Sequence, residues 1–193
     1  MKSIIFATNN EHKVSEIRSF LHEDWNIITL KEAGIFMDIP EPHFTLEENA
    51  REKSLTIFQL TGQDCFSEDT GLETDALNGA PGVFSARYAG EPLSSEANIE
   101  KLLNALKGID NRKARFRTVI SIYLGGLEFQ FEGICNGTIA HKKIGGSGFG
   151  YDPIFIPDGA STSFANMTSA EKNSYSHRKK AMEKLIQFLN KEM

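Results

Sequence analysis

The sequence predicts an α/β fold, a mixed β-sheet flanked by helices, and three observations carry that prediction. Residues 4–7 (IIFA) form an unbroken apolar run, as expected of a strand buried on both faces. Apolar residues then recur at helical spacing in segments that follow short strands. Late in the chain, residues 114–124 and 127–135 read as two strands joined across Gly125-Gly126, an antiparallel hairpin. Crossover helices early and a hairpin late argue for a mixed sheet of about six to eight strands, not a uniformly parallel one.

In chain order, Thr8-Asn9-Asn10 breaks the first strand, and Val14, Ile17, Phe20 and Leu21 then recur as one helix face. A second strand is expected over residues 25–30. Thr45-x-x-Glu48 is a capping box that opens a helix reaching about Thr61, with Gly62 as its stop. Residues 64–67 read as a short strand leading into the acid pair Glu68-Asp69, and Gly79-Ala80-Pro81-Gly82 as a turn. Ile99, Leu102, Leu103 and Leu106 mark a further helix that ends by Gly108. In the hairpin, Phe129 and Phe131 alternate with Glu128, Gln130 and Glu132, so one face is expected to be wet. The glycine-rich loop 145–153 precedes a strand at 154–156. A short helix near 169–175 and a longer one after Ser176, packed through Met182, Leu185, Ile186 and Leu189, close the chain.

The chain has 193 residues, enough for one domain or for one domain with two lobes. Its formal net charge of −5 disfavours a broad nucleic-acid or anionic-membrane surface, so any phosphate site must be a local basic cluster. Cys65 and Cys135 form no Cys-x-x-Cys pair and read as buried thiols of a cytoplasmic protein. The histidines at 12, 22, 43, 141 and 177 lack metal-ligand spacing. The first apolar run is too short for a signal peptide or a membrane span.

Two helix starts break an electrostatic rule. Helix N-termini favour acids, yet Lys13 follows the expected cap Asn9 or Asn10, and His177-Arg178 follows the expected cap Ser176. Each misplaced cation costs about 0.3–1 kcal/mol, and a solvated side chain explains any one of them alone. An anion held at the helix starts explains them together. Thr8-x-Asn10-x-x-Lys13 has the logic of a phosphate cradle without the spacing of a P-loop. Lys53 lies on the apolar stripe of its helix with Leu46, Ala50, Ile57 and Leu60, where it either snorkels to water or reaches phosphate or a carboxylate.

Glu68 and Asp69 are expected at a strand end, where the chain can turn both toward one site. Mg²⁺ would offset their repulsion, with Glu41 as a further ligand. One acid could instead serve as a general base, or the pair could be an acidic turn. In the glycine-rich loop, Phe149 and Tyr151 can offer a flat face to a base, and Asp152 can accept from base N–H groups.

Six segments in register resemble the non-standard purine nucleoside triphosphate pyrophosphatases, also called inosine triphosphate pyrophosphatases. They are Thr8-x-Asn10-x-x-Lys13, Glu47-x-Asn49-Ala50-x-x-Lys53, Ser67-Glu68-Asp69-Thr70-Gly71-Leu72, Gly79-Ala80-Pro81-Gly82 with Ser85-Ala86-Arg87-Tyr88, Phe149-Gly150-Tyr151-Asp152-Pro153 and Ser176-His177-Arg178. The resemblance implies an elongated mixed sheet with two lobes and the active-site cleft between them, a homodimer, and Mg²⁺-dependent hydrolysis of ITP, dITP and XTP to monophosphate and pyrophosphate. By position, Thr8, Asn9, Asn10, Glu11, His12, Lys13 and Lys53 would hold the triphosphate. Glu41, Glu68 and Asp69 would bind metal, Asp69 would take the proton from water, and Thr70 would touch substrate. Phe149 would stack on the base within the Phe149-Gly150-Tyr151-Asp152 segment, and Asp152, Lys172, His177 and Arg178 would line its pocket. Bacterial members often carry Asp-Asp where this chain has Glu68-Asp69. A pyrophosphatase of another base preference and a non-catalytic nucleotide sensor are the competing expectations. The intact acid pair argues against the sensor, which needs no general base.

Overall fold

The computed structural model describes residues 2–19, 25–146 and 148–192. Phe20 and Leu21 of the first helix reading, His22 among the histidines, and Ser147 of the glycine-rich loop lie outside the described residues. Among the described residues the sheet has seven strands: β1 (Lys2–Phe6), β2 (Trp25–Thr29), β3 (Cys65–Thr74), β4 (Pro81–Gly82), β5 (Lys113–Leu124), β6 (Leu127–Ile139) and β7 (Phe155–Pro157). Six follow the order β2-β1-β3-β5-β6-β7, and β4 pairs with β3. β1 is parallel to β2 and β3, whereas β4 and β7 run antiparallel to their neighbours, so the sheet is mixed as expected. The helices are α1 (Glu11–Arg18), α2 (Leu46–Thr61), α3 (Ser95–Ala105), α4 (Ser169–Tyr175) and α5 (His177–Glu192). None is long and apolar enough to cross a membrane, among the described residues.

Local chemistry sets the ends. The Asn10 side chain accepts from the Lys13 N–H and caps α1. Thr45 accepts from the Glu48 N–H, and its hydroxyl donates to the Glu48 carboxylate at 2.8 Å, a variation on the expected capping box. Gly62 ends α2. Gly125 and Gly126 both take positive φ, +58° and +84°, as a two-residue hairpin turn of this twist requires.

The chain divides into two compact units. The first comprises Met1–Asp69, Thr118–Gly133 and Arg178–Met193, the second Thr70–Arg117 and Ile134–His177. In the first unit, strand alternation sorts side chains to two faces. Ile4, Phe6, Phe66, Ile120 and Ile122 join Val14 and Ile17 of α1 and Ala181, Met182, Leu185 and Leu189 of α5 in one core. The Phe6 and Phe66 rings stack with centroids 4.5 Å apart. Ile5, Ala7 and Cys65 face the other way and meet Ile57 of α2.

The underside of α2 is polar. Ser54 bonds to Ser121 at 2.8 Å, Ser121 donates to Glu128, and Glu128 also receives Arg51 and Gln130. Gln130 reaches on to the Glu47 carbonyl of α2. Glu128 and Gln130, on the face of β6 expected to be wet, therefore meet a helix that matches their polarity. Phe129 and Phe131 pack on Phe188 of α5 as core residues.

The second unit centres on Leu72, Ile99, Leu102, Leu106, Phe116, Phe155 and Phe164. Buried Arg112 donates to the carbonyls of Leu106, Ile139 and Ala140, satisfying the end of α3.

Several expectations need correction. β3 does not end at residue 67 but runs ten residues to Thr74, because Leu72 and Glu73 pair with Gly82 and Pro81. The turn at 79–82 thus supplies strand β4. β6 extends to Ile139, and β7 begins at Phe155 instead of Ile154. Leu60 is 59% exposed and leaves the apolar stripe of α2.

Gly71 marks a close backbone approach between β3 and β4. A Cβ there would stand 2.5 Å from the Gly82 oxygen and 2.8 Å from its carbonyl carbon, both main-chain atoms that cannot rotate away. Gly71→Ala should therefore destabilise the fold by about 1–3 kcal/mol, read as a lower urea midpoint at unchanged slope. A midpoint equal to wild type would contradict the packing described.

Candidate active site

β3 carries the acid pair past the end of β1. The two strands pair only at Ile5–Cys65 and Phe6–Phe66, so Glu68 and Asp69 lie just beyond the carboxyl end of β1, where α/β sheets place ligands. Both acids are buried, at 1% and 5% exposure. Lys13 and Lys53 each act on both acids, yet the nearest cation of each differs. Because the strand continues, successive side chains go to opposite faces.

Glu68 shares the face of Phe66 and meets the cations of α1 and α5. Lys13 Nζ lies 3.2 Å from Glu68 Oε1, and Arg178 Nε donates to both carboxylate oxygens at 3.0 and 2.8 Å. Arg178, itself buried, also pairs through Nη1 with Glu16 of α1. Glu16 was not singled out from the sequence. Its spacing three residues after Lys13 on a helix was the available signal.

Asp69 shares the face of Cys65 and Ser67 and meets α2. Lys53 Nζ lies 3.3 Å from Asp69 Oδ1 and 2.5 Å from Glu41 Oε1. Asn49 Nδ2 lies 3.5 Å from Asp69 Oδ2. Lys53 is 6% exposed, so it does not snorkel to water but spans two carboxylates.

Burial dominates the titration of this cluster. It pushes the Glu68 carboxyl upward against the pull of Lys13 and Lys53. It pushes Asp69 upward likewise, against Lys53 and Lys13. For Lys53 burial works against the charge, but Asp69 and Glu41 outweigh it and its pKa rises. Burial draws Arg178 down to about 10, which keeps it charged near neutral pH.

The loop before α1 is held from both sides. The Thr8 hydroxyl accepts from the Asn10 N–H, and Asn9 Nδ2 donates to Met37 O and Asp38 Oδ1. Glu11 and His12 are exposed in the first turn of α1, where backbone N–H groups favour anions. A cavity of about 1100 Å³ opens beside this loop, lined by Thr8, Asn9 and Glu11 and by Phe36, Met37 and Asp38 across from them. Neither Glu68 nor Asp69 lines it.

In the second unit, Asp152 organises the glycine-rich loop. Its Oδ2 accepts from the Phe149 N–H at 2.9 Å and from Lys172 Nζ at 2.8 Å. A side chain at Gly148 would put Cβ 2.7 Å from Asp152 Cβ, so only glycine lets the loop close on this acid. Phe149 is 38% exposed and can present its ring to a ligand. Gly150 precedes Tyr151, which does not share that role. Tyr151 is a core residue whose hydroxyl donates to the Ser85 carbonyl at 2.9 Å. His177 is buried and stacks on Phe116, centroids 4.8 Å apart and nearly parallel. Thr70, the first residue of this unit, is half-buried. Among the described residues, no three Asp, Glu, His or Cys side chains are drawn together as a ready-made metal cage. The donor set of Glu41, Glu68 and Asp69 is nonetheless all carboxylate oxygen, which suits a hard cation that keeps its waters and takes one or two protein carboxylates.

The model of the Ham1 family matches residues 4–188. A dITP/XTP pyrophosphatase of Flavobacterium johnsoniae is 47% identical over 186 residues, 96% of this chain and 97% of that protein. One of Porphyromonas gingivalis is 50% identical over 190 residues, 98% of each chain. The solved structure of the Staphylococcus aureus Ham1 protein superposes with a TM-score of 0.90 at 40% identity, covering 100% of both chains.

The burial of Asp69 makes a stability prediction. Its folded pKa is raised, so the wild-type fold is favoured at low pH and loses that advantage as pH rises through the raised value. Asp69→Asn, which carries no charge, escapes the loss. The difference in melting temperature between ligand-free variant and wild type should shift in the variant's favour as pH climbs from about 3.9, the ordinary aspartate value, toward neutrality. A shift in the wild type's favour would contradict the assigned direction.

Proposed function

The chain belongs to the Ham1 family, and from that premise we propose that it hydrolyses the non-standard purine nucleoside triphosphates dITP, ITP and XTP to the monophosphate and pyrophosphate, clearing them from the cytoplasmic nucleotide pool. The observation that carries the reading is the environment of Asp69, a buried carboxylate flanked by Lys53 and Asn49. A carboxylate offers about four lone-pair sites, and those two neighbours take one on each oxygen. Lone pairs remain to accept a proton from water.

Asp69 orients a water and takes its proton as the water oxygen bonds to the α-phosphorus. The bond from that phosphorus to the bridging oxygen breaks, and pyrophosphate leaves with the electron pair. Lys13 and Lys53 face the negative charge that builds on the leaving group. The loop of Thr8, Asn9 and Asn10 and the first turn of α1, with Glu11 and His12, hold the phosphate chain, and Thr70 contacts substrate. When bound, magnesium would neutralise phosphate charge, with Glu41, Glu68 and Asp69 as its carboxylates. Phe149 stacks on the base, and Asp152 fixes Lys172 by the ion pair at 2.8 Å. Lys172 or His177 supplies a donor to the 6-oxo group, which adenine lacks, and Arg178 lines the base pocket. A donor left unpaired in this way costs about 1–3 kcal/mol, roughly ten- to a hundredfold in selection against ATP.

The direct test is pyrophosphate release across dITP, ITP, XTP, ATP and GTP with magnesium. Release from the first three, at least tenfold faster than from ATP, is expected. Orthophosphate as the product would overturn attack at the α-phosphorus. Asp69→Asn should lower kcat by about a hundredfold or more while nucleotide binding persists. Retained turnover would remove Asp69 from the role of base. The reading also includes a homodimer, for which light scattering at twice the 21.5 kDa chain mass is expected and a monomer mass would be the refutation.

A further inference from the structure

Asn49 lies fully buried on α2, four residues before Lys53 and therefore on the same helix face. Its side-chain oxygen accepts from the His43 N–H at 2.9 Å, and its Nδ2 donates to the His43 carbonyl at 3.2 Å. This pairing settles the orientation of the amide, since a flipped group would set donor against donor and acceptor against acceptor. One Nδ2 hydrogen remains, and the nearest acceptor to it is Asp69 Oδ2 at 3.5 Å. That is the outer limit of a hydrogen bond. Such contacts in ligand-free enzymes are often long and tighten when substrate is bound.

Lys53 repeats the arrangement one helical turn on. It bonds to Glu41 and to the other oxygen of the same carboxylate, Asp69 Oδ1. Two α2 side chains thus each join the segment at residues 41–43 to Asp69, one by charge and one by a neutral amide.

We propose that Asn49 is a positioning residue for Asp69, setting the plane of the carboxylate through Oδ2 while Lys53 grips Oδ1. The inference rests on the reading of Asp69 as the base. A carboxylate held at one oxygen only can rotate about its Cβ–Cγ bond. Held at both, it keeps its unoccupied lone pairs aimed where a water must stand, and orientation of this kind acts on the chemical step more than on binding. The amide suits the post because it donates without adding charge. A second lysine there would compete with magnesium for the acid.

The experiment compares wild type with Asn49→Ala and Asn49→Asp. The aspartate keeps the shape and the acceptor for the His43 N–H but puts a carboxylate against Asp69. For dITP, Asn49→Ala should lose about ten- to a hundredfold in kcat, with the nucleotide KM and the half-saturating magnesium concentration within about threefold of wild type. Asn49→Asp should lose more. Wild-type kcat in both variants, or a loss confined to KM or to magnesium requirement, would overturn the proposal and leave Asn49 as a latch for the 41–43 segment alone. If the alanine variant does not fold, the isosteric aspartate carries the comparison. Crystal structures of ligand-free wild type and Asn49→Ala give a readout independent of turnover. The Asp69 carboxylate should be rotated in the variant, and an unmoved carboxylate overturns the proposal. Should wild type release no pyrophosphate from dITP, the functional reading fails on its own, and the two crystal structures still decide whether Asn49 orients Asp69.

Discussion

Everything at this site depends on the alternation of side chains along one buried strand. β3 does not bend at the acid pair, so Glu68 and Asp69 leave it in opposite directions. Neither direction leads to bulk water. Each acid must then find its own cation in the layer it enters, and each does: Lys13 and Arg178 for Glu68, Lys53 for Asp69. Adjacency in sequence had suggested one shared counter-charge. The structure answers the repulsion with a different nearest cation for each acid, while Lys13 and Lys53 both act on both.

The cluster holds three cations, Lys13, Lys53 and Arg178, against four carboxylates, Glu16, Glu41, Glu68 and Asp69. A set of buried charges rarely stabilises a fold better than apolar residues of the same volume would. Its presence fits a site whose charges have work to do on a ligand. The lysines are already fixed on protein acids, so in the proposed reading a triphosphate would exchange for carboxylate partners without first having to order two long flexible side chains. The same burial raises both acids above the ordinary carboxylate range, a perturbation that clusters at functional sites.

Much of this was legible in the sequence wherever a short-range signal existed. Thr45 and Gly62 bracket α2 by chemistry local to the helix ends, and the glycine pair at 125–126 declares its hairpin. Lys53 could be placed on the inner face of α2 by counting turns. Three features were not legible, and for one reason. Burial of a polar segment is a property of what covers it. Residues 67–69 look like a departure from strand because they are not apolar, yet their partners on α1, α2 and α5 bury them and the strand runs on. Tyr151 resembled a ligand platform because its neighbours are glycines, while its hydroxyl is committed to Ser85, distant in sequence. Arg178 was legible as a cation out of place at a helix start. Its bond to Glu68 joins residues 110 apart, a closure no local pattern reports.

The polar underside of α2 has a mechanical consequence. A helix seated on a greasy surface can creep along it, since dispersion and hydrophobic contact have little directional preference. The serine pair, Glu128, Arg51 and Gln130 act as teeth: each bond is satisfied at one axial setting of the helix and lost at the next. α2 is thereby indexed against the sheet like a geared shaft. Any tool mounted on it, an ammonium or an amide, inherits that calibration along the whole of its length.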